Sequence, residues 1–160
     1  MKKLVVYYSY TGNTKKIADM IKNKLDCDIL ELEPLTPFSK DYDEVVNEYQ
    51  NNSIDNKEVP IKDINVNLDD YDEIIIGTPV WWYTISPVVV TFLKENDLSN
   101  KTIYPFATNA GWLGKTFKDI EKLCPNSKIE KEMNIVFESY SDKLKTTEKE
   151  LNDWINSIEK

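Results

Sequence analysis

A cluster of neutral hydrogen-bond donors follows the first apolar run of the chain: the hydroxyls of Ser9, Thr11 and Thr14 and the amide of Asn13, with Tyr10 and Gly12 between them. No cation stands among them. The run before them reads as a buried strand, and a helical pattern begins directly after. A loop feeding a helix N-terminus presents unpaired backbone N–H groups and the positive end of the helix dipole. Such a loop can solvate a phosphate without an ion pair, and Gly12 permits the tight turn this needs. A single capping residue would satisfy the helix, so this surplus of small polar residues points to an anion site. A second cluster is aromatic. Three of the four Trp, Trp81, Trp82 and Trp112, fall just after later apolar runs, beside the four scarce glycines Gly12, Gly77, Gly111 and Gly114. Average usage near 7% would give about eleven glycines in a chain this long. One Trp alone reads as a hydrophobic plug; three together favour a flat aromatic ligand stacked in a cleft.

The residue types that are missing narrow the chemistry. All 20 basic residues are Lys, with no Arg and no His. Histidine-based acid–base or nucleophile triads and histidine metal ligands are therefore excluded. The Arg clamps usual in phosphoryl transfer are also absent. Cys27 and Cys124 match no metal spacing and read as buried, reduced thiols. The net charge of −8 is unevenly spread: residues 1–24 hold six Lys and one acid, 25–100 hold four Lys and 17 acids, and 101–160 hold ten of each. Nucleic acid as a partner is excluded by the want of a basic face. The acidic middle serves solubility, or docks basic partners. No apolar run approaches the ~20 residues that span a bilayer, and Met1-Lys2-Lys3 leads into a strand, so the expected location is the cytoplasm, away from the membrane.

The elements that must position these residues alternate between strand and helix. Strands are expected at Lys3–Tyr8, Cys27–Glu33, Glu73–Gly77, Thr102–Ala107 and near Ile129–Phe137. Helices are expected from Asn13 to Leu25, from an Asp41 cap through Tyr42, Val45, Val46 and Tyr49, from Ser86-Pro87 through Leu93, from Leu113 to Leu123, and from Ser141 to Ile158. "VVVTFL" has the composition of a strand, yet an N-cap serine and a first-turn proline precede it, which predicts helix. An irregular acidic stretch fills the interval to about Tyr71. The strand runs barely alternate, as expected where both faces are covered. Strand–helix alternation of this kind predicts one α/β domain, residues 1–160, with a doubly wound parallel sheet. Such sheets bind ligands beyond the carboxyl ends of their strands, where both clusters fall.

The segment Ser9-Tyr10-Thr11-Gly12-Asn13-Thr14 resembles the phosphate loop of the flavodoxins. The resemblance continues through "DEIIIGTPVWWY" and "IYPFATNAGWLGKTFKDI" and spans essentially the whole chain. It implies a flavodoxin-like fold, five parallel strands ordered 2-1-3-4-5 with helices on both faces, and flavin mononucleotide (FMN) as cofactor. By resemblance, the segment Ser9, Tyr10, Thr11, Gly12, Asn13 and Thr14 binds phosphate, with Tyr10, outside its small-residue pattern, turned to solvent or to the ribityl chain. Thr78, Pro79, Val80, Trp81, Trp82 and Tyr83 cover one side of the flavin, and Thr108, Asn109, Ala110, Gly111, Trp112 and Leu113 the other. Trp112 corresponds to the ring-stacking aromatic of the second flavin loop, and either Trp81 or Trp82 faces the opposite side. The implied activity is transfer of low-potential electrons between redox partners with basic docking surfaces, by a monomer or weak dimer. No catalytic acid–base residue is then required, and no metal. The family commonly places a glycine in the loop after strand 3, whose peptide flips towards the reduced flavin. Here Pro79-Val80-Trp81-Trp82-Tyr83 has none. A bulky residue at positive φ costs on the order of 1 kcal/mol or more, so weak stabilisation of half-reduced flavin is expected.

The alternative is an FMN-dependent NAD(P)H:quinone reductase of the same fold, although the chain has little spare length and no Arg for a nucleotide phosphate. "GWLGKT" (111–116) approaches a P-loop, but that motif needs glycine where Asn109 stands. A phospho-accepting receiver domain needs acids after strands 1 and 3, where Ser9 and Thr78 stand. A cofactor-free interaction module would have no use for the hydroxyls and the Trp cluster.

Overall fold

A computed structural model of the protein describes residues 2–49 and 59–159. Part of the expected irregular acidic stretch, residues 50–58, lies outside the described residues, as does the side chain of Tyr42. Strands β1 (Lys3–Tyr7), β2 (Asp28–Glu31), β3 (Glu73–Trp81), β4 (Thr84–Ile85), β5 (Thr102–Asn109), β6 (Lys128–Ile129) and β7 (Met133–Val136) alternate with helices α1 (Asn13–Leu25), α2 (Tyr42–Tyr49), α3 (Pro87–Glu95), α4 (Thr116–Leu123) and α5 (Glu148–Glu159). The sheet runs β2-β1-β3-β5-β6 with these neighbours parallel, and β7 also pairs with β5. With β6 and β7 counted as one interrupted fifth strand, this is the expected 2-1-3-4-5 order.

Period-two side-chain alternation divides the core into two layers. Leu4, Val6, Ile74, Ile76 and Ile103 pack against Val45 of α2, the apolar residues of "VVVTFL" in α3 and Ile120 of α4. Val5, Tyr7, Ile75, Tyr104 and Phe106 point to the other face, against Ile17, Ala18 and Ile21 of α1 and Leu151, Trp154, Ile155 and Ile158 of α5. Burial on both faces explains the unbroken apolar strand runs.

Most expected ends hold to within two residues, and four elements depart further, each for a local reason. Strand β3 does not end at Gly77. That glycine lies within the strand beneath Phe106, where a Cβ would sit 2.2 Å from the ring. The strand runs on to Trp81 and doubles back through β4, which pairs antiparallel with it. The fifth strand breaks because Lys131 has φ 51°, while its carbonyl accepts the Trp154 indole N–H at 2.5 Å. Helix α4 starts at Thr116 instead of Leu113, after Gly114 turns at φ 59°. Helix α5 starts at Glu148 instead of Ser141, where a reciprocal cap forms: Glu150 N–H donates to Thr147 Oγ1 and Thr147 N–H to Glu150 Oε2, both at 3.1 Å.

Candidate functional site

The residues after β1 form an open turn ending at Gly12, the N-cap of α1, with φ 103° and no side-chain cap on the helix. Ser9 Oγ accepts the Gly12 N–H at 3.1 Å. The first-turn N–H groups of α1 have no intrahelical acceptors, by helix geometry, and project from an end without a side-chain cap. Asn13 donates through Nδ2 to Ser141 O at 3.0 Å, tying this turn to the loop after β7. Thr14 is buried, and its hydroxyl pairs with that of Thr108 at 2.7 Å, joining α1 to the end of β5. The two adjacent lysines are engaged elsewhere. Lys15 Nζ lies 3.6 Å from Asp19 and 4.0 Å from Glu31, and Lys16 Nζ bonds Asp142 O. The turn thus offers dipoles without a committed cation.

Beyond it, β3 presents the aromatic residues through an unusual turn. Trp81 pairs with Thr84 across the hairpin, leaving Trp82 and Tyr83 as a two-residue loop with φ 49° and 69°. Two consecutive left-handed residues are the mark of a type I′ turn, which normally takes Asn-Gly. The bulky residues thus already occupy the positive φ that they were expected to avoid. Thr78 is fully buried; its hydroxyl accepts the Ser86 N–H and bonds Ser86 Oγ, both at 3.1 Å, fixing the entry to α3. Facing this arm, Asn109 accepts the Gly111 N–H at 2.8 Å and donates to Asn134 Oδ1 at 2.6 Å, shaping the loop that carries Trp112.

The two tryptophans after β3 differ in place. Trp81 is buried in a cluster of six rings with Tyr8, Tyr10, Phe38, Tyr49 and Trp82, most of them edge-on, with centroids 4.9–6.5 Å apart. Trp82 is half-buried at the turn, whereas Tyr83 and Trp112 are 56% and 58% exposed. Burial in this cluster drives the Tyr8 hydroxyl well above the usual tyrosine range. Burial, and secondarily Glu48, pushes Tyr49 up to about 12, so both rings stay neutral at physiological pH.

These elements enclose two adjoining cavities. One, of about 470 Å³, is lined by Tyr10, Val80, Trp81, Trp82, Tyr83 and Trp112 with Val45 of α2. The other, of about 500 Å³, is lined by Thr11, Asn13, Pro79 and Thr108 with Ser141 and Asp142. Asn109, Ala110 and Tyr140 border both, so the two cavities lie side by side and together make up the cleft at this edge. Ser9 borders a neighbouring hollow beside Phe38, and Gly12, Thr14, Thr78, Gly111 and Leu113 shape the walls without lining the cleft. Sequence reasoning missed Val45 and the loop 137–142, which supplies Phe137, Glu138, Ser139, Tyr140, Ser141 and Asp142. That loop follows the last strand, so the rule that located the other loops at the carboxyl edge also applied to it. Among the described residues no group of acidic or Cys side chains could hold a metal, and no helix is long and apolar enough to cross a membrane.

A three-layer α/β sheet with such a cleft at its carboxyl edge is the architecture of a nucleotide-type ligand site at a topological switch point. A family model described as flavodoxin matches residues 2–158, and the chain belongs to that family. No curated protein matches it. Among solved structures it is similar to a candidate flavoprotein of Bacteroides eggerthii, 26% identical, covering 98% of this chain and 97% of that one with a TM-score of 0.75. It is also similar to a Lactobacillus acidophilus flavoprotein crystallised in complex with FMN, 26% identical over 83% of this chain and 91% of that one, TM-score 0.67. Flavodoxin 2 of Bacillus cereus, 20% identical over 99% and 97% of the two chains, has the same fold at a TM-score of 0.57.

Proposed function

We propose that the protein is an electron carrier that holds FMN, the cofactor of its family, in the cleft at the carboxyl edge of the sheet. One observation carries this: two adjoining cavities that share Asn109, Ala110 and Tyr140 set an uncapped helix N-terminus, flanked by Thr11 and Asn13, beside a wall of indole and phenol rings. The donor set fits the cofactor's two ends. First-turn amides of α1 and the Thr11 and Asn13 side chains suit a phosphate, with the helix dipole in place of a cation. Trp82 and Trp112 rise from opposite loops and suit the two faces of a flat ring system, while Trp81 backs the first of them from the aromatic cluster. FMN supplies the one- and two-electron chemistry when bound, and the protein supplies position and field.

The field is negative. Helix α2 contributes Val45 to the cleft and exposes Asp43, Glu44 and Glu48 on its other sides, and Glu138 and Asp142 line the far end. These charges disfavour adding negative charge within the cleft and so lower the potential there. They also steer towards redox proteins with basic docking surfaces. Tyr83 and Trp112, each more than half exposed, leave the aromatic end of the cleft open for contact.

The test is an absorbance titration with FMN followed by stepwise reduction, then transfer to a basic redox protein at rising ionic strength. Stoichiometric uptake of FMN and a rate that falls steeply with salt are expected. A colourless protein that quenches no added FMN overturns the cofactor assignment, and a salt-independent rate overturns the docking assignment. Catalytic turnover of NADH with a quinone selects the reductase alternative instead.

A further inference from the structure

We propose that Asp119 is a positioning residue for the cleft: through Thr84 it holds the Trp82–Tyr83 turn in the conformation that presents Trp82, an inference resting on FMN as the occupant. The turn needs an external hold. Each left-handed aromatic residue is strained, and type I′ geometry selects Asn-Gly for that reason. The hairpin behind it is minimal, since β4 has two residues and only Val80↔Ile85 and Trp81↔Thr84 pair.

The hold comes from α4. Thr84 and Asp119 are each 1% exposed, and the Thr84 hydroxyl donates to Asp119 Oδ2. One turn earlier, Lys115 N–H donates to Tyr83 O at 2.8 Å. Gly114 makes room for that approach, because a Cβ there would lie 2.2 Å from the same carbonyl. Residues 83 and 84 are thus fastened to α4 by two adjacent bonds. Among the described residues Asp119 takes part in no ion pair. A buried carboxyl without a cation is a poor device for stability, where an apolar side chain of similar size would serve as well or better. As a fixed acceptor for one hydroxyl it specifies the register of the hairpin. The arm that Asp119 fixes and the loop bearing Trp112 meet at Gly114 and Lys115, so the clamp also sets the distance between the two walls of the cleft.

The test uses Asp119→Leu, which removes the acceptor at similar volume, Thr84→Val and, as the rescue that keeps the hydroxyl, Thr84→Ser. Amide hydrogen exchange is followed in the flavin-free protein. Exchange at residues 82–85 rises at least tenfold in Asp119→Leu and Thr84→Val, while β1 and α1 keep their rates and Thr84→Ser stays near wild type. The dissociation constants of FMN and of riboflavin then rise together by about tenfold, because the phosphate end is untouched, and the midpoint potential of the bound flavin shifts. Exchange that is unchanged, or that rises only in step with β1 and α1, overturns the clamp. Faster exchange with unaltered flavin affinity and potential overturns the positioning role while the clamp stands. Wild-type protein that takes up neither flavin overturns the cofactor reading itself, which the exchange result by itself leaves separate.

Discussion

Replacing Gly114 by alanine tests the junction between the two walls of the cleft. The residue has φ 59°, and an added Cβ would meet Tyr83 O at 2.2 Å and Tyr83 Cα at 2.7 Å, backbone atoms that no rotamer change can move. Holding alanine in the left-handed region costs roughly 1–2 kcal/mol. Displacing the turn also breaks the Lys115 N–H to Tyr83 O bond, worth about 0.5–1.5 kcal/mol. The stiffer unfolded chain returns about 0.4–1 kcal/mol, leaving a net loss near 2 kcal/mol. For a domain of this size that is a fall in Tm of about 4–8 °C, readable by calorimetry. Gly114→Asn separates the two causes. Asparagine tolerates left-handed backbone but carries the same Cβ, so it recovers only the conformational part. If Gly114→Asn matches wild type in Tm, the steric argument fails, and the turn is not braced against α4 in the way described.

Three further outcomes follow from the same geometry. Gly77→Ala forces a methyl group into the Phe106 ring, so it destabilises by about 1–3 kcal/mol in denaturant titration, and pairing it with Phe106→Leu recovers part of the loss. Asn13→Ala removes the link to Ser141 at the phosphate end; FMN affinity falls several-fold by fluorescence titration while riboflavin affinity holds, so an equal loss for both ligands places the phosphate elsewhere. Burial pushes the Cys124 thiol up to about 11, above its value in the unfolded chain. The unfolded state therefore releases its proton first, and stability that is full below about pH 8.5 is lost as pH rises towards 11. Cys124→Ala flattens that part of the pH–stability curve, and alkylation of Cys124 at pH 8 requires unfolding.

The sequence made the frame legible because the frame depends on local patterns. Unbroken apolar runs revealed strands covered on both faces, and Ser86-Pro87 turned a β-branched run into the start of α3. The donor cluster at residues 9–14 stood out since its chemistry lies in the residue types themselves. What was not legible depends on tertiary contacts. Gly77 looked like a strand end because nothing local announces the Phe106 ring above it. Trp82 and Tyr83 have low propensity for left-handed backbone, so their turn could be found only once α4 was placed against it. The Thr147-x-x-Glu150 cap was present in the sequence, but Leu144 falls in helical register with Leu151, Ile155 and Ile158 and suggested an earlier start for α5. Trp81 and Trp82 are identical in type, and only the ring cluster around Tyr8 and Phe38 tells them apart.

The interrupted fifth strand has a consequence for the outer border of the sheet. An outer β-strand with free amides invites strands of other molecules to add on. Here that border is split into pieces of two and four residues by the kink at Lys131. The returning chain then takes the end of the longer piece for itself: Lys145 and Thr146 N–H groups donate to Val136 O, and the Val136 N–H is taken by Thr146 Oγ1. Little template is left on that side for the strand of a second copy to add to.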